Sequence, residues 1–386
     1  MLNIFRRLLS PKSVVLDFPY PYKGLLAFSS DVEFTSWDIQ KKLIDAFNAY
    51  HIPVSFSLWT YGDNDHTWCC FKDDGTEQDY IGDVMDLCQK GVFDTFHSFG
   101  GITDGKGTFL NRERFQKSYA LFQKYNVTFP IYTNHGSVLD TQNIGGVDAT
   151  YQKGDDPYHA HYHLDLTMQH GCRYFWTDID YDNEQCLFDV KVKPFHPPLF
   201  RVMTCRDGQK LLCFKRFRGT NDGAPTLTNF NVQLKTYLNS SKNGYTIMYQ
   251  HFGAKRDENR KAYSAQEPFF DEETKELLNN LQVLHTEKNI CILPCSTLLN
   301  FARVQWVKPW TIEEKKDRIT VSFYKEKKRD GMSFCFEKED FQGFSLSTSL
   351  KKHILLLYEG TPLPFSISFE KNKKIIHIPF AHQKSS

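Results

Sequence analysis

Short apolar runs alternate with segments of helical spacing along the first three quarters of the chain. The run "GLLAFSS" comes before a segment whose apolar side chains fall on one stripe of a helix, and "HIPVSFSLW" then has the character of a second strand. The stripe comprises Ile39, Leu43, Ala46, Phe47 and Tyr50. Thr35 and Asp38 have the spacing of a capping box, so we expect the helix to begin beside them.

The same alternation continues to about residue 300. Helical segments near 80–90, 156–171, 226–237 and 271–285, and one that carries Phe115, Tyr119 and Phe122, separate the apolar runs "VFDTFHS", "VTFPIYTNHG", "CRYFWTDID", "GYTIMYQHF" and "NICILP". A last helix ends near 303. Alternating strands and helices predict a parallel sheet. The number of units favours an α/β fold in which the sheet closes into a distorted (β/α) barrel, with an open doubly wound sheet as the alternative.

Two changes of pattern divide the chain. Residues 183–220 contain the Pro-rich "KPFHPPLF" and the basic "CFKRFRG", which predict an insertion with hairpins of its own. After "WVKPW" the chain turns to short alternating runs such as "ITVSFY" and "FSISFE". We therefore predict a β/α domain over 1–310 and a small C-terminal antiparallel β domain over 311–386.

Composition narrows the classes of partner. The 47 basic and 46 acidic residues leave a net charge of +1, which gives no electrostatic reason to expect nucleic acid as a partner. The ten cysteines lack the paired C-x2-C spacing of structural zinc sites and suit free thiols in a reducing compartment. No apolar run approaches the roughly 18 residues of a transmembrane segment. We expect a cytoplasmic protein; the oligomeric state stays open.

Polar residues follow directly after several predicted strands. They are Asp31, Glu33, His97, Asn134, His135, Asp178, Asp180 and His251. In parallel β/α folds the carboxyl ends of the strands lie at one edge, and ligands bind there. Acids and imidazoles brought together at that edge form a set able to hold a divalent metal.

Some of these residues also carry a resemblance to a known family. "FSSDVEF" followed by "LIDAFNAYHIPVSFSLW" resembles the opening motif of the polysaccharide deacetylases, a family of carbohydrate esterases. "DTFHSFGG", "FWTDID" and "YTIMYQHF" resemble its second, fourth and last motifs. The chain departs from the family at Gly101, where a second metal-binding histidine is usual, and at "YTNHGS", which lacks the usual Arg and Pro.

The resemblance implies a metal-dependent hydrolase that removes an acyl group, acetyl in the first instance, from a sugar or a surface-polysaccharide precursor. Asp31 would be the general base and His251 the general acid, with Asp178 orienting a histidine. Glu33, His97 and His135 would bind the metal, His135 replacing the missing ligand. Zinc is the first choice and another divalent first-row ion the second.

Aromatic side chains at or beyond strand ends are candidates to stack against the carbohydrate. Trp59 and Trp176, with Asn134 as a polar contact, are the predicted substrate-binding residues, and Tyr61 and Trp68 are further platforms. Core packing is an equally good reading of any one of these rings.

Simpler or different readings remain open. Asp31 and Glu33 could complement the N-terminus of the next helix, and His159 with His163 could form a separate metal clip. A glycoside hydrolase would use two carboxylates, such as Asp31 and Asp178. A site that has lost its activity would leave a carbohydrate-binding or scaffold protein.

Overall fold

The computed structural model describes residues 13–62, 67–72, 74–100, 110–135, 140–145, 151–177, 199–217, 225–239, 244–349, 351–370 and 372–381. The chain divides into two compact units. One is Leu25–Leu298, and the other combines Met1–Gly24 with Leu299–Ser386. The division falls at Leu298, whereas the sequence analysis placed it near residue 310.

Seven helices are found in the described part of the chain, with two short 3-10 turns. The helices are α1 (Trp37–Asn48), α2 (Ile81–Gln89), α3 (Arg112–Lys124), α4 (Leu164–Gln169), α5 (Phe230–Leu238), α6 (Glu272–Thr286) and α7 (Cys295–Val307). None of the helices in these ranges is long and apolar enough to cross a membrane.

Strands form the remainder of the regular structure. Those up to residue 298 are β2 to β12, and β1 lies before them: β1 (Val14–Val15), β2 (Leu25–Ser30), β3 (Val54–Trp59), β4 (Phe93–Ser98), β5 (Ile131–Thr133), β6 (Tyr174–Trp176), β7 (Phe200–Thr204), β8 (Lys210–Phe214), β9 (Tyr245–Gln250), β10 (Ala254–Arg256), β11 (Ala262–Ser264) and β12 (Cys291–Ile292). The later strands are β13 (Trp310–Glu314), β14 (Arg318–Phe323), β15 (Glu326–Arg329), β16 (Met332–Cys335), β17 (Ser345–Ser349), β18 (His353–Tyr358), β19 (Thr361–Pro362), β20 (Ser366–Glu370) and β21 (Lys373–His377).

The first unit is built on one nine-stranded sheet in the order β12-β2-β3-β4-β5-β6-β8-β7, with β9 also paired to β2. The strands β2, β3, β4 and β9 are buried along their whole length. Burial of every residue in these strands, polar residues included, is typical of strands that are covered on both faces. The register pairs Ser30 of β2 with Gln250 of β9, so both strands end at the same level.

Helix α1 shows how the local sequence sets this packing. Ser36 is its N-cap and accepts a hydrogen bond from the backbone N–H of Ile39. The predicted Thr35 capping box is wrong, because the Thr35 hydroxyl instead donates to the carbonyl of Glu33. Leu43 and Phe47 of the predicted stripe are buried, and the other three residues of that stripe pack against the same core.

The predicted distorted (β/α) barrel is wrong. In the described ranges the regular strands form a mixed sheet that ends at the antiparallel pair β7–β8, and the other strands form several smaller sheets. The segment read as an insertion contributes to this result, because β8 is an internal strand that pairs in parallel with β6. One isolated parallel bridge, between Phe217 and Met248, lies beyond the end of β8 and does not extend into a ladder.

The predicted helix over 156–171 is confined to α4. Residues 151–163 form turns instead, and Gly171, at φ +94°, follows the end of the helix. Half of the proposed insertion, residues 183–198 and 218–220, lies outside the described residues.

The second unit contains two four-stranded sheets and a hairpin. The sheets have the orders β1-β17-β21-β20 and β13-β14-β18-β19, and β15 pairs with β16. The prediction of a purely antiparallel domain is wrong, since β14 and β18 pair in parallel over Arg318–Phe323 and His353–Tyr358. Phe323, Phe341 and Phe344 pack together in the core of this unit.

Candidate metal centre

Four polar residues of the candidate site follow or end strands of the nine-stranded sheet at its carboxyl edge. His97 lies within β4, and Asp31, His135 and His251 come just after β2, β5 and β9. The exposed fractions are 1% for Asp31, 1% for His97 and 4% for His251, so these ionisable groups are almost completely shielded from water. Buried charges need partners, and these side chains provide them for one another.

Glu33, His97 and His135 form a first group of possible metal ligands. Nε2 of His97 lies 2.8 Å from Oε1 of Glu33, and Nε2 of His135 lies 3.6 Å from the same oxygen. One ligand atom from each of the three residues falls within 4.8 Å of the others. A carboxylate and two imidazoles are a donor set suited to a divalent cation, and three protein ligands leave a position for water or substrate.

His97 is held by its second ring nitrogen. Nδ1 donates to the carbonyl oxygen of Thr133 at 2.9 Å, which directs Nε2 into the site. Burial lowers the pKa of His97, but the charges of Asp31 and Glu33 outweigh burial and raise the pKa to about 9. The ring of Trp59 contacts both histidines edge-on, with centroids 5.9 Å from His97 and 5.4 Å from His135.

Asp31, Glu33 and His251 form a second group with ligand atoms within 4.8 Å. Nδ1 of His251 donates to the carbonyl oxygen of Pro225 at 2.8 Å, and Nε2 lies 3.2 Å from the hydroxyl of Tyr249. Burial opposes ionisation of Glu33, yet the charges of His97 and His251 lower the pKa of Glu33 well below its ordinary value. For His251, burial lowers the pKa and the charge of Glu33 more than compensates, so the pKa rises.

Arg216 distinguishes the two groups. Its Nη1 lies 3.3 Å from Oδ2 of Asp31, and both residues are 1% exposed at the side chain. The guanidinium lies between two rings, 3.9 Å from the centre of Trp176 and 3.8 Å from that of Tyr249. A fixed positive charge beside Asp31 disfavours a divalent cation there, so the group of Glu33, His97 and His135 fits a cation better.

One buried oxygen of Glu33, the residue common to both groups, indicates that the cluster as a whole could take a cation. Oε2 of Glu33 lies 3.5 Å from Nε2 of His251 and makes no hydrogen bond within the described ranges. A buried carboxylate oxygen without a hydrogen bond is costly, and a bound cation would satisfy the carboxylate. The described residues therefore include groups that could hold a metal ion, as the sequence analysis predicted, although they do not identify the metal.

Neither Asp31 nor Glu33 caps helix α1. Ser36 occupies the N-cap of α1, while Asp31 faces Arg216 and Glu33 faces His97. The alternative clip does not form either. Nε2 of His163 bonds to the carbonyl of Gln142, and its Nδ1 bonds to the hydroxyl of Thr167, so both ring nitrogens are engaged.

The three residues predicted to contact substrate, Trp59, Asn134 and Trp176, are buried. The carboxamide of Asn134 bonds to the backbone of Ile144 in both directions, at 2.9 Å each. Trp59 and Trp176 are 0% and 3% exposed, and they pack on the site histidines and on Arg216. A direct contact with a sugar stays a prediction for all three. Asp178 and Asp180 lie outside the described residues.

Three residues of the site were missed. Arg216 lies in "CFKRFRG", which the basic pattern assigned to an insertion, and nothing local links it to Asp31. Asp140 lies 3.2 Å from His135, and its position five residues later is the only local hint. Tyr249, two residues before His251, reads in the sequence as an ordinary strand aromatic.

No protein-family model matches the chain, and neither a curated protein nor a solved structure shows significant similarity to it.

Proposed function

We propose that the protein is a metal-dependent hydrolase that removes an acyl group, acetyl in the first instance, from a sugar, and that it is related to the polysaccharide deacetylases. The observation that carries this proposal is the convergence of Glu33, His97 and His135 on one point, with Asp31 and His251 beside them. Hydrolysis of an amide or ester needs an activated water, a general base and a general acid, and this set can supply all three.

A divalent ion bound by Glu33, His97 and His135, zinc in the first instance, would polarise the acyl carbonyl and lower the pKa of water. In this proposal Asp31 takes the proton of the attacking water. Arg216, 3.3 Å away, pairs with the same carboxylate and holds it in position.

His251 is the group for the opposite proton transfer. Because its Nδ1 donates to the carbonyl of Pro225, its Nε2 is the nitrogen that faces the site. An imidazolium can give its Nε2 proton to the leaving amine or alcohol. Tyr249, with its hydroxyl 3.2 Å from this nitrogen, keeps the ring in place.

The carbohydrate is the part of the proposal that rests on the resemblance. Arg216 supports a polar ligand, because its Nε and Nη2 are buried without a hydrogen-bond partner among the described residues. These donors suit a hydroxyl or acyl oxygen of a sugar.

The test is release of acetate from defined substrates. The full chain, loaded with Zn²⁺, is incubated with N-acetylglucosamine oligomers and with O-acetylated xylan oligomers. We expect acetate from at least one of them, and a loss of roughly 10² to 10⁴ in rate for Asp31→Asn. Asp94→Asn is the matched control, since Asp94 is a buried acid of the same sheet that contacts Ser55 and Ser296.

Three results would contradict the proposal. New reducing ends without acetate would indicate a glycoside hydrolase. Sugar binding without metal and without turnover would indicate a binding module. An Asp31→Asn variant as active as wild type would remove the assigned base.

A further inference from the structure

His135 is the most exposed of the three proposed ligands, and its side chain retains 25% of its accessible surface. The ring of a loop histidine can rotate about its χ1 and χ2 bonds. Orientations that turn the ligand nitrogen away from the cation weaken metal binding. The described residues around His135 hold its backbone and place a carboxylate beside its ring. The role inferred below for these residues rests on the metal centre of the proposed function.

The backbone is held by Asn143. The N–H of His135 donates to Oδ1 of Asn143 at 2.9 Å, and Nδ2 of Asn143 donates to the carbonyl of His135 at 2.8 Å. The carboxamide of Asn143 thus accepts one hydrogen bond from the backbone of His135 and donates another to it, which fixes the backbone position of His135.

The ring of His135 lies beside Asp140 in an ion-pair contact, and its Nδ1 makes no hydrogen bond within the described ranges. Oδ2 of Asp140 lies 3.2 Å from Nδ1 of His135, while Nε2 of the same ring faces Glu33. Asp140 is fully buried, and Gln142 donates to both of its carboxylate oxygens at 3.0 Å. Gln142 in turn accepts from the backbone N–H of Phe99 at 2.7 Å, two residues after His97.

We infer that Asp140 is a positioning residue that makes His135 a metal ligand. Its carboxylate holds the proton of His135 on Nδ1, which leaves the lone pair of Nε2 for the cation and increases its basicity. A carboxylate behind a metal-binding histidine typically contributes 10- to 100-fold in metal affinity.

The test measures affinity for Co²⁺ by competition with a chromophoric chelator, using the full chain stripped of metal. Asp140→Asn is expected to weaken binding by roughly 10- to 100-fold. The double variant with His135→Ala is expected to bind as His135→Ala alone, because Asp140 acts through that ring. Asp94→Asn, the matched buried acid, is expected to bind as wild type.

A second measurement needs no variant. In Zn²⁺-loaded wild type, long-range ¹H–¹⁵N correlation of the histidine rings is expected to show His135 protonated at Nδ1 with metal at Nε2. Metal at Nδ1 would overturn the inference. So would an unchanged affinity in Asp140→Asn, or an equal loss of affinity whether or not His135 is present.

Neither the Co²⁺ affinity nor the NMR measurement depends on turnover of a substrate. Absence of acetate release with this pattern of affinities would overturn the hydrolase proposal and leave the role of Asp140 intact. A wild-type chain with no affinity for Co²⁺ would overturn the metal centre and the role of Asp140 together.

Discussion

Nε2 of His97 lies 2.8 Å from Oε1 of Glu33, although 64 positions separate the two residues in the chain. The contact exists because β2 and β4 flank β3 in the sheet and end at the same edge. With Nδ1 engaged by Thr133, the ring presents one nitrogen to one carboxylate oxygen. This pair is the centre of the proposed metal site.

Replacement of either residue should strongly weaken metal binding. We expect His97→Ala and Glu33→Gln each to weaken Zn²⁺ affinity by more than the roughly 10- to 100-fold that an outer carboxylate contributes. Elemental analysis after dialysis and competition titration measure this change. Metal content equal to wild type in both variants would contradict the ligand set, whereas Asp94→Asn should retain it.

Arg216 should be important for folding as well as for catalysis. Arg216→Met removes the cation beside buried Asp31, and leaving a buried charge without its partner costs about 3–5 kcal/mol. Urea unfolding of the metal-free chain measures this loss. Arg216→Lys should restore part of the stability but little activity, because an ammonium cannot stack as a planar group between Trp176 and Tyr249.

The control for Arg216 is Arg112→Met. Arg112 pairs with Asp165 at 2.6 Å, but both side chains are 38% exposed. Exposed ion pairs contribute about 0–1 kcal/mol, so this variant should unfold nearly as wild type does. Equal losses for the two variants would show that burial of the Asp31 pair does not matter.

More of the candidate site than of the fold could be predicted from the sequence. Residues at the ends of apolar runs, such as Glu33, His97 and His251, were identified because the end of a strand is visible in the local pattern. Arg216 was missed because its role depends on a contact with Asp31, 185 positions away. Local pattern carries no information on such a partner.

The errors in fold have the same origin. The run containing β8 was read as part of an insertion, yet its neighbour is β6 in the main sheet. In the second unit, β14 alternates between buried and more exposed residues, and this alternation does not specify that β14 pairs in parallel with β18. The period of a strand predicts which face is buried but not which strand lies beside it.

Asp94 should stabilise the fold without affecting the metal. It accepts hydrogen bonds from Ser55 at 2.8 Å and from the backbone N–H of Ser296, in the first turn of α7, at 2.9 Å. Asp94→Ala leaves these buried donors without an acceptor and should lower the free energy of unfolding by about 2–3 kcal/mol. Thermal unfolding measures this. A loss of Co²⁺ affinity in the folded variant would contradict the separation of the two roles.

His163 should make the protein less stable in mild acid. It is fully buried, with aromatic neighbours Phe99 and Phe115 at 4.8 and 5.2 Å, and burial lowers its pKa to about 4. The unfolded chain, with a histidine pKa of about 6.5, therefore takes up the proton first. Stability is complete above about pH 6.5 and falls as the pH is lowered towards 4, by up to about 3 kcal/mol.

Urea unfolding between pH 7.5 and 4.5 measures this effect as the difference between wild type and His163→Gln, because other groups titrate equally in both. The variant should lose the extra decline below pH 6.5. His170→Gln is the control, since His170 is partly exposed and stacks on Tyr119, and it should change the slope much less. An identical pH dependence in wild type and His163→Gln would mean that His163 takes up its proton without unfolding, as a solvated histidine does.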